Sequence, residues 1–170
     1  VYPDAWWHLG ECYTDIGDYD GAVIRLRISD GLNPYNATPL NNLGVAYMFR
    51  VKFAQAEKAL LKACSVDTTG QNCLGNLVML YQLTGELGKY EKYLVRSTSD
   101  FDVPPDFHRA IVEYYVFDRE FRRAARALQN ALDRGIDSSR FQPALQKNAQ
   151  QNDYLMALRG KTVYDSASLR

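Results

Sequence analysis

The chain has 170 residues, 46% of them hydrophobic and 12% aromatic, with 20 Lys and Arg against 20 Asp and Glu. That composition supports a packed core and excludes a disordered segment, and zero net charge provides no long-range field to gather nucleic acid or an anionic membrane. No window approaches the roughly 18 consecutive apolar residues of a membrane span, and no basic-then-apolar leader opens the chain, which starts at Val1 as a segment or processed form of a longer polypeptide would.

In chain order, the first pair of helical runs covers about 3–36, with Leu9, Gly10 and Tyr13 on its first helix and Tyr19, Ala22 and Leu26 on its second. Gly17 and Asp18 mark the turn between them. The second pair, about 37–70, repeats these types as Leu43, Gly44 and Tyr47, then Phe53, Ala56 and Leu60. In the third, about 71–104, they become Leu77, Val78 and Tyr81, a turn with Gly85 and Gly88, then Leu87, Tyr90 and Leu94. The fourth, about 105–138, has Ile111, Val112 and Tyr115, then Phe121, Ala124 and Leu128. One offset of 34 residues relates all four units without insertion. Beyond them, Phe141, Leu145, Ala149, Leu155, Met156 and Leu158 predict one more helix over about 139–159, capping the stack with Gln146, Lys147, Gln150 and Asn152 on its outer side. The segment 160–170 has no periodicity and reads as a flexible tail.

The small residues have a steric role. Gly10 and Gly44, facing Ala22 and Ala56, permit close approach of the paired helices. Tyr90 breaks that rule, which predicts a wider hairpin or a shifted second helix in the third unit. Asp18, Thr38 and Asp106 are expected helix N-caps, and Pro34, Pro104 and Pro105 unit boundaries.

Trp6, Leu9, Gly10, Tyr13, Gly17, Tyr19, Ala22 and Pro34 together resemble the tetratricopeptide repeat, over about 136 of the 170 residues. The pattern departs from that family at Val78 and Val112, in place of glycine, and at Tyr90, in place of alanine. The resemblance implies an all-α, right-handed superhelical solenoid of four helix hairpins plus a C-terminal capping helix, forming a single domain over 1–159. It also implies that the first helix of each hairpin lines a concave groove for a peptide or helix of another protein.

The groove-facing places are then Trp7, His8 and Glu11 in the first unit, and Asn41, Asn42, Val45 and Phe49 in the second. The third contributes Asn76, Met79 and Leu83, and the fourth Arg109, Glu113 and Phe117. Asn42 and Asn76 stand one period apart, and a carboxamide offers both a donor and an acceptor to a peptide backbone. This is similar to the asparagine ladder of some peptide-binding members of the family, though His8 and Ala110 hold the outer rungs; solvated asparagines without a partner are the competing reading. The family's other mode, a Lys-Asn-Arg clamp on acidic chaperone tails, finds Trp7, Glu11, Asn42, Asn72 and Asn76 at its places; without cations it lacks the charge-assisted bonds that hold a carboxylate.

Catalysis and cofactors find no support. His8 and His108 have no cysteine or carboxylate pair at ligand spacing, so no metal is expected. Asp15-Ile16-Gly17-Asp18-Tyr19-Asp20-Gly21 lacks the calcium-loop spacing and its distal glutamate, and Gly160-Lys161-Thr162 has Leu155 where a phosphate loop needs glycine. No Gly-x-Ser-x-Gly elbow occurs. Arg119, Arg122, Arg123 and Arg126 read as a solvated outer face of the fourth unit's second helix, partly paired with Glu120, with an acidic partner or RNA as the alternative. Cys64 and Cys73 bracket a short linker: in an oxidising compartment they would close a disulfide, and otherwise they are small buried apolar side chains. Cytoplasm and periplasm both stay open. The expectation is a non-enzymatic protein-interaction module with a protein or peptide partner and no nucleic acid. Its alternatives are a structural scaffold, self-associating through an end hairpin, or a regulatory domain of a larger protein.

Overall fold

The computed structural model describes residues 2–67, 71–100 and 103–143, and none of these is in a strand. Eight α-helices follow one another among them: α1 (Pro3–Asp15), α2 (Tyr19–Leu32), α3 (Ala37–Phe49), α4 (Phe53–Val66), α5 (Gln71–Thr84), α6 (Leu87–Asp100), α7 (Pro105–Phe117) and α8 (Phe121–Asp133). Odd-numbered helices each start 34 residues after the last, and so do the even-numbered ones, so the sequence period is the structural period. Of the expected capping helix, a 3₁₀ turn (Ser138–Phe141) and two α-helical residues are described; the rest of it and the tail lie outside the described residues.

Local chemistry explains most helix starts. Pro3 and Pro105 stand at the first helical position, where the missing N–H costs nothing. Asp18 caps α2 by accepting from the Gly21 amide at 2.8 Å, as expected. The other two caps differ from expectation. Asn36, not Thr38, caps α3, its side chain accepting from the Thr38 amide at 3.0 Å, because Thr38 already lies inside the helix. Asp106 likewise falls in the first turn of α7 behind Pro104, where its charge still complements the helix dipole.

The chain packs as two compact units, Val1–Phe101 and Asp102–Arg170. In the first, α2 packs on α1 and α3, α4 on α3 and α5, and α6 on α5, while α3 also touches both α1 and α5. One layer is therefore α1, α3 and α5, and the other α2, α4 and α6. Leu26, Leu60, Leu77 and Leu94 are fully buried between the layers, each worth roughly 1.5–3 kcal/mol of transfer free energy. What fills the space over Gly10 is Leu26 rather than Ala22: a Cβ added there would sit 2.6 Å from the leucine Cγ. Gly44 meets Leu60 in the same way, at 2.5 Å. Where valine replaces the glycine, as in α5–α6 and α7–α8, the paired helices touch less extensively among the described residues, the direction that Val78 and Tyr90 lead one to expect. Cys64 on α4 and Cys73 on α5 form a disulfide with Cα atoms 5.5 Å apart; Cys12 is a free, exposed thiol.

In the second unit α7 packs on α8, and Val112, Ala124, Leu128 and Ala131 form the buried seam. Phe141, fully buried, comes from beyond α8 and packs through its 3₁₀ turn against α7.

Candidate functional site

In the first unit the α1–α3–α5 layer has one face against the even helices and one that no described helix of this unit covers. At the α1 end, the groove-facing place expected for Trp7 is only in part exposed: Trp7 packs against the buried cluster of Ala22, Leu26 and Leu43, its ring tilted 32° to His8 with centroids 3.6 Å apart, and donates from Nε1 to Asp4 at 3.3 Å. His8 Nδ1 lies 3.7 Å from the Glu11 carboxylate. Glu11, Thr14 and Asp15 of α1 then share a shallow depression of about 160 Å³ with Asn42 and Val45 of α3.

Further along, the amides are paired differently from the sequence register. Asn76 Nδ2 donates to Asn41 Oδ1 at 2.8 Å, across an offset of 35 residues, so the residue it meets is Asn41 and not Asn42. Side chains of neighbouring helices within one layer, here α3 and α5, meet along a diagonal that a strict 34-residue comparison cannot show. The bond uses the Asn76 amide and the Asn41 carbonyl, so the acceptor of Asn76 and the donor of Asn41 are not spent on it. Beside them lies an apolar row. Phe49 is 60% exposed, Met79 53% and Leu83 61%. Phe49 is not loose, because its ring stacks on Tyr19 from the preceding hairpin, centroids 4.6 Å apart and nearly parallel. The register that Tyr19 shares with Phe53, Leu87 and Phe121 gives no sign of this contact.

Arg109 and Glu113 belong to the second unit. There Arg109 sits between Asp106 at 3.4 Å and Glu113 at 3.5 Å on α7. Phe117, at the end of that helix, is 81% exposed. Of the arginines expected on the outer face of α8, Arg119 instead occupies the preceding turn with φ 60°, while Arg122 and Arg126 are exposed on the helix and Arg123 lies over the Tyr115 ring at 5.7 Å.

No group of three or more potential metal ligands occurs among the described residues, and no described helix is long and apolar enough to cross a membrane. The neighbouring Tyr81, Glu57 and Lys89 form a polar cluster instead. Tyr81 donates to Glu57 Oε1 at 2.8 Å, and Lys89 reaches Glu57 and Glu86 at 2.8 Å each. Those bonds hold the Glu57 carboxyl below its usual range, the hydrogen bond from Lys89 first and that from Tyr81 second. Burial, then Glu57, push the Tyr81 phenol up.

Helix hairpins at a constant 34-residue interval, arranged in two layers with one free face, decide the architecture, and solved structures agree. This is the tetratricopeptide fold. MamA superposes with a TM-score of 0.70 at 19% identity, over 99% of this chain and 98% of that one. A tetratricopeptide repeat protein from Parabacteroides merdae gives 0.72 at 18%, covering 96% and 68%. The first tetratricopeptide domain of Spaghetti (RPAP3), solved bound to the HSP90 peptide SRMEEVD, gives 0.61 at 19%, covering 66% and 91%. No known family profile and no curated protein matches the sequence.

Proposed function

We propose that the chain is a non-enzymatic protein-interaction module that receives a peptide or helix on the free face of α1, α3 and α5. The observation that carries this reading is the exposure of Phe49, Met79 and Leu83 on the helices that also hold the half-buried amides of Asn41, Asn42 and Asn76. Apolar side chains held open to solvent next to backbone-reading amides are what an extended partner needs for area and register. A tetratricopeptide structure holding a peptide supports the same use of the fold.

Charge narrows the partner. Glu11 and Asp15 make the α1 end of this face acidic, while its α5 end is apolar. A partner with a basic residue at one end and apolar residues at the other fits; an acidic chaperone tail does not, since the places that would grip its carboxylate hold Trp7, Glu11 and Asn76.

Peptides selected against the chain from a display library, then titrated by calorimetry, test the assignment. Met79→Ala with Phe49→Ala is expected to weaken binding by about tenfold or more, and Asn42→Ala with Asn76→Ala by a smaller factor. Unchanged affinity in both double variants would discard this face.

A further inference from the structure

On the opposite side of the first unit, between the outer helices α2 and α4, lies a cleft of about 480 Å³. Its floor is apolar, from Leu40, Leu43 and Tyr47 on α3 and Ala59 on α4. Its rim is cationic: Arg27 from α2, Lys58 and Lys62 from α4. The one acid in its lining, Asp30, is taken by Lys62 at 2.7 Å and 3.0 Å, and Arg27 and Lys58 have no ion pair among the described residues.

The next hairpin shows one way in which this place is closed. One period on, between α4 and α6, Tyr93 stands where the cleft has Ala59, and its ring stacks on Tyr81 with centroids 5.4 Å apart. Lys89 replaces Gln55 and lies over the Tyr81 ring at 5.2 Å, while Leu61 replaces Arg27. The Tyr81 hydroxyl is satisfied by Glu57, whose counterpart beside Tyr47 is the apolar Val23. Elsewhere in the register, Tyr13 is met by Arg25 and Tyr115 is covered by Arg123. Tyr47 alone among these four has no hydrogen-bond or cation partner among the described residues. Relative to the next hairpin, the cleft therefore has Ala59 in place of a large side chain and no carboxylate at the Tyr47 hydroxyl, and its Asp30 is taken by Lys62 while Arg27 and Lys58 keep their charge unpaired among the described residues.

We propose that this cleft is a second binding site, occupied by a segment of a partner protein that presents a Glu or Asp beside a large apolar side chain. The apolar group fills the space that Tyr93 fills in the next hairpin. The carboxylate accepts from the Tyr47 hydroxyl and from Arg27 or Lys58, supplying the charge that Glu57 supplies to Tyr81. A volume of this size lies within the range of specific ligand sites, and charge-assisted bonds to Arg and Lys set its selectivity. This site is independent of the α1–α3–α5 face.

Two-dimensional amide NMR of the isotopically labelled chain tests it, using the blocked peptide acetyl-Glu-Leu-Tyr-Glu-Leu-amide as probe. Expected are shifts centred on Tyr47, Lys58 and Gly31, which lines the cleft next to Asp30, and affinity lower by about tenfold for the Gln-for-Glu peptide or for Arg27→Gln with Lys58→Gln. Ala59→Tyr, copying the next repeat, is expected to abolish the shifts; the Arg27 and Lys58 variant, altering only the rim, keeps the test decisive if Ala59→Tyr does not fold. Absence of shifts in the cleft, equal binding of the Glu and Gln peptides, or equal binding of free phenylacetate would each overturn the proposal. The last result would assign the cleft to a small carboxylate.

Discussion

The hairpins α3–α4 and α5–α6 share a backbone plan and solve its packing in opposite ways. In α3–α4 the helices come together because Gly44 leaves room for Leu60 and Ala56 is fully buried beside it. In α5–α6 valine and tyrosine take those places, Tyr90 still buried, and the helices touch less extensively. The second hairpin adds what the first omits: Tyr93 stacked on Tyr81, and the Tyr81–Glu57–Lys89 cluster tying α5 to both neighbours. Their turns differ as well. Gly85 adopts φ 71° at no steric cost, whereas Val51 holds φ 56° with a branched side chain. Close approach of helices and side-chain locking are alternative ways to fix the same hairpin, and a repeat that uses one can drop the other.

Exchanging the two solutions tests this. The largest effect is expected for Gly44→Val, which forces a Cβ into Leu60 and is expected to cost about 1–3 kcal/mol in chemical denaturation; a neutral result would mean that close approach does not hold α3–α4. Next comes Val51→Gly, expected to stabilise by about 1 kcal/mol because it removes a left-handed β-branched residue, read as a higher denaturation midpoint at unchanged slope. Smallest is Glu57→Gln. The Glu57 carboxyl is held below its ordinary 4.5, so the stability it contributes is present above that value and is lost as pH falls through the folded-state pKa. Stability profiles of the parent and Glu57→Gln are expected to differ least at the acid end, with the loss on acidification shallower in the variant. Because the group is partly exposed, solvent screening keeps the effect small.

Much of this fold was legible because its period is written in side chains that must be buried. Leu26, Leu60 and Leu94 recur at one spacing and are all fully buried, and the helix starts follow them. What stayed hidden depends on contacts off the period. The Asn41–Asn76 bond runs along a diagonal between helices, and the Tyr19 stack under Phe49 joins a helix start to a helix end. Left-handed turns at Val51 and Arg119 also escaped the sequence, since neither residue advertises positive φ as Gly17 and Gly85 do. The outer cleft could have been read from the period alone, by asking why Ala59 is small where Tyr93 is large.

The bond between Cys64 and Cys73 gives the chain a property that helix packing alone cannot. Tension applied at the two termini crosses from α4 to α5 through sulfur, so the intervening stretch, spanned by a sequence separation of nine, bears no load. A fully unravelled molecule would then measure roughly 25 Å less from end to end in its oxidised form than after reduction, a hidden length that single-molecule stretching reads directly.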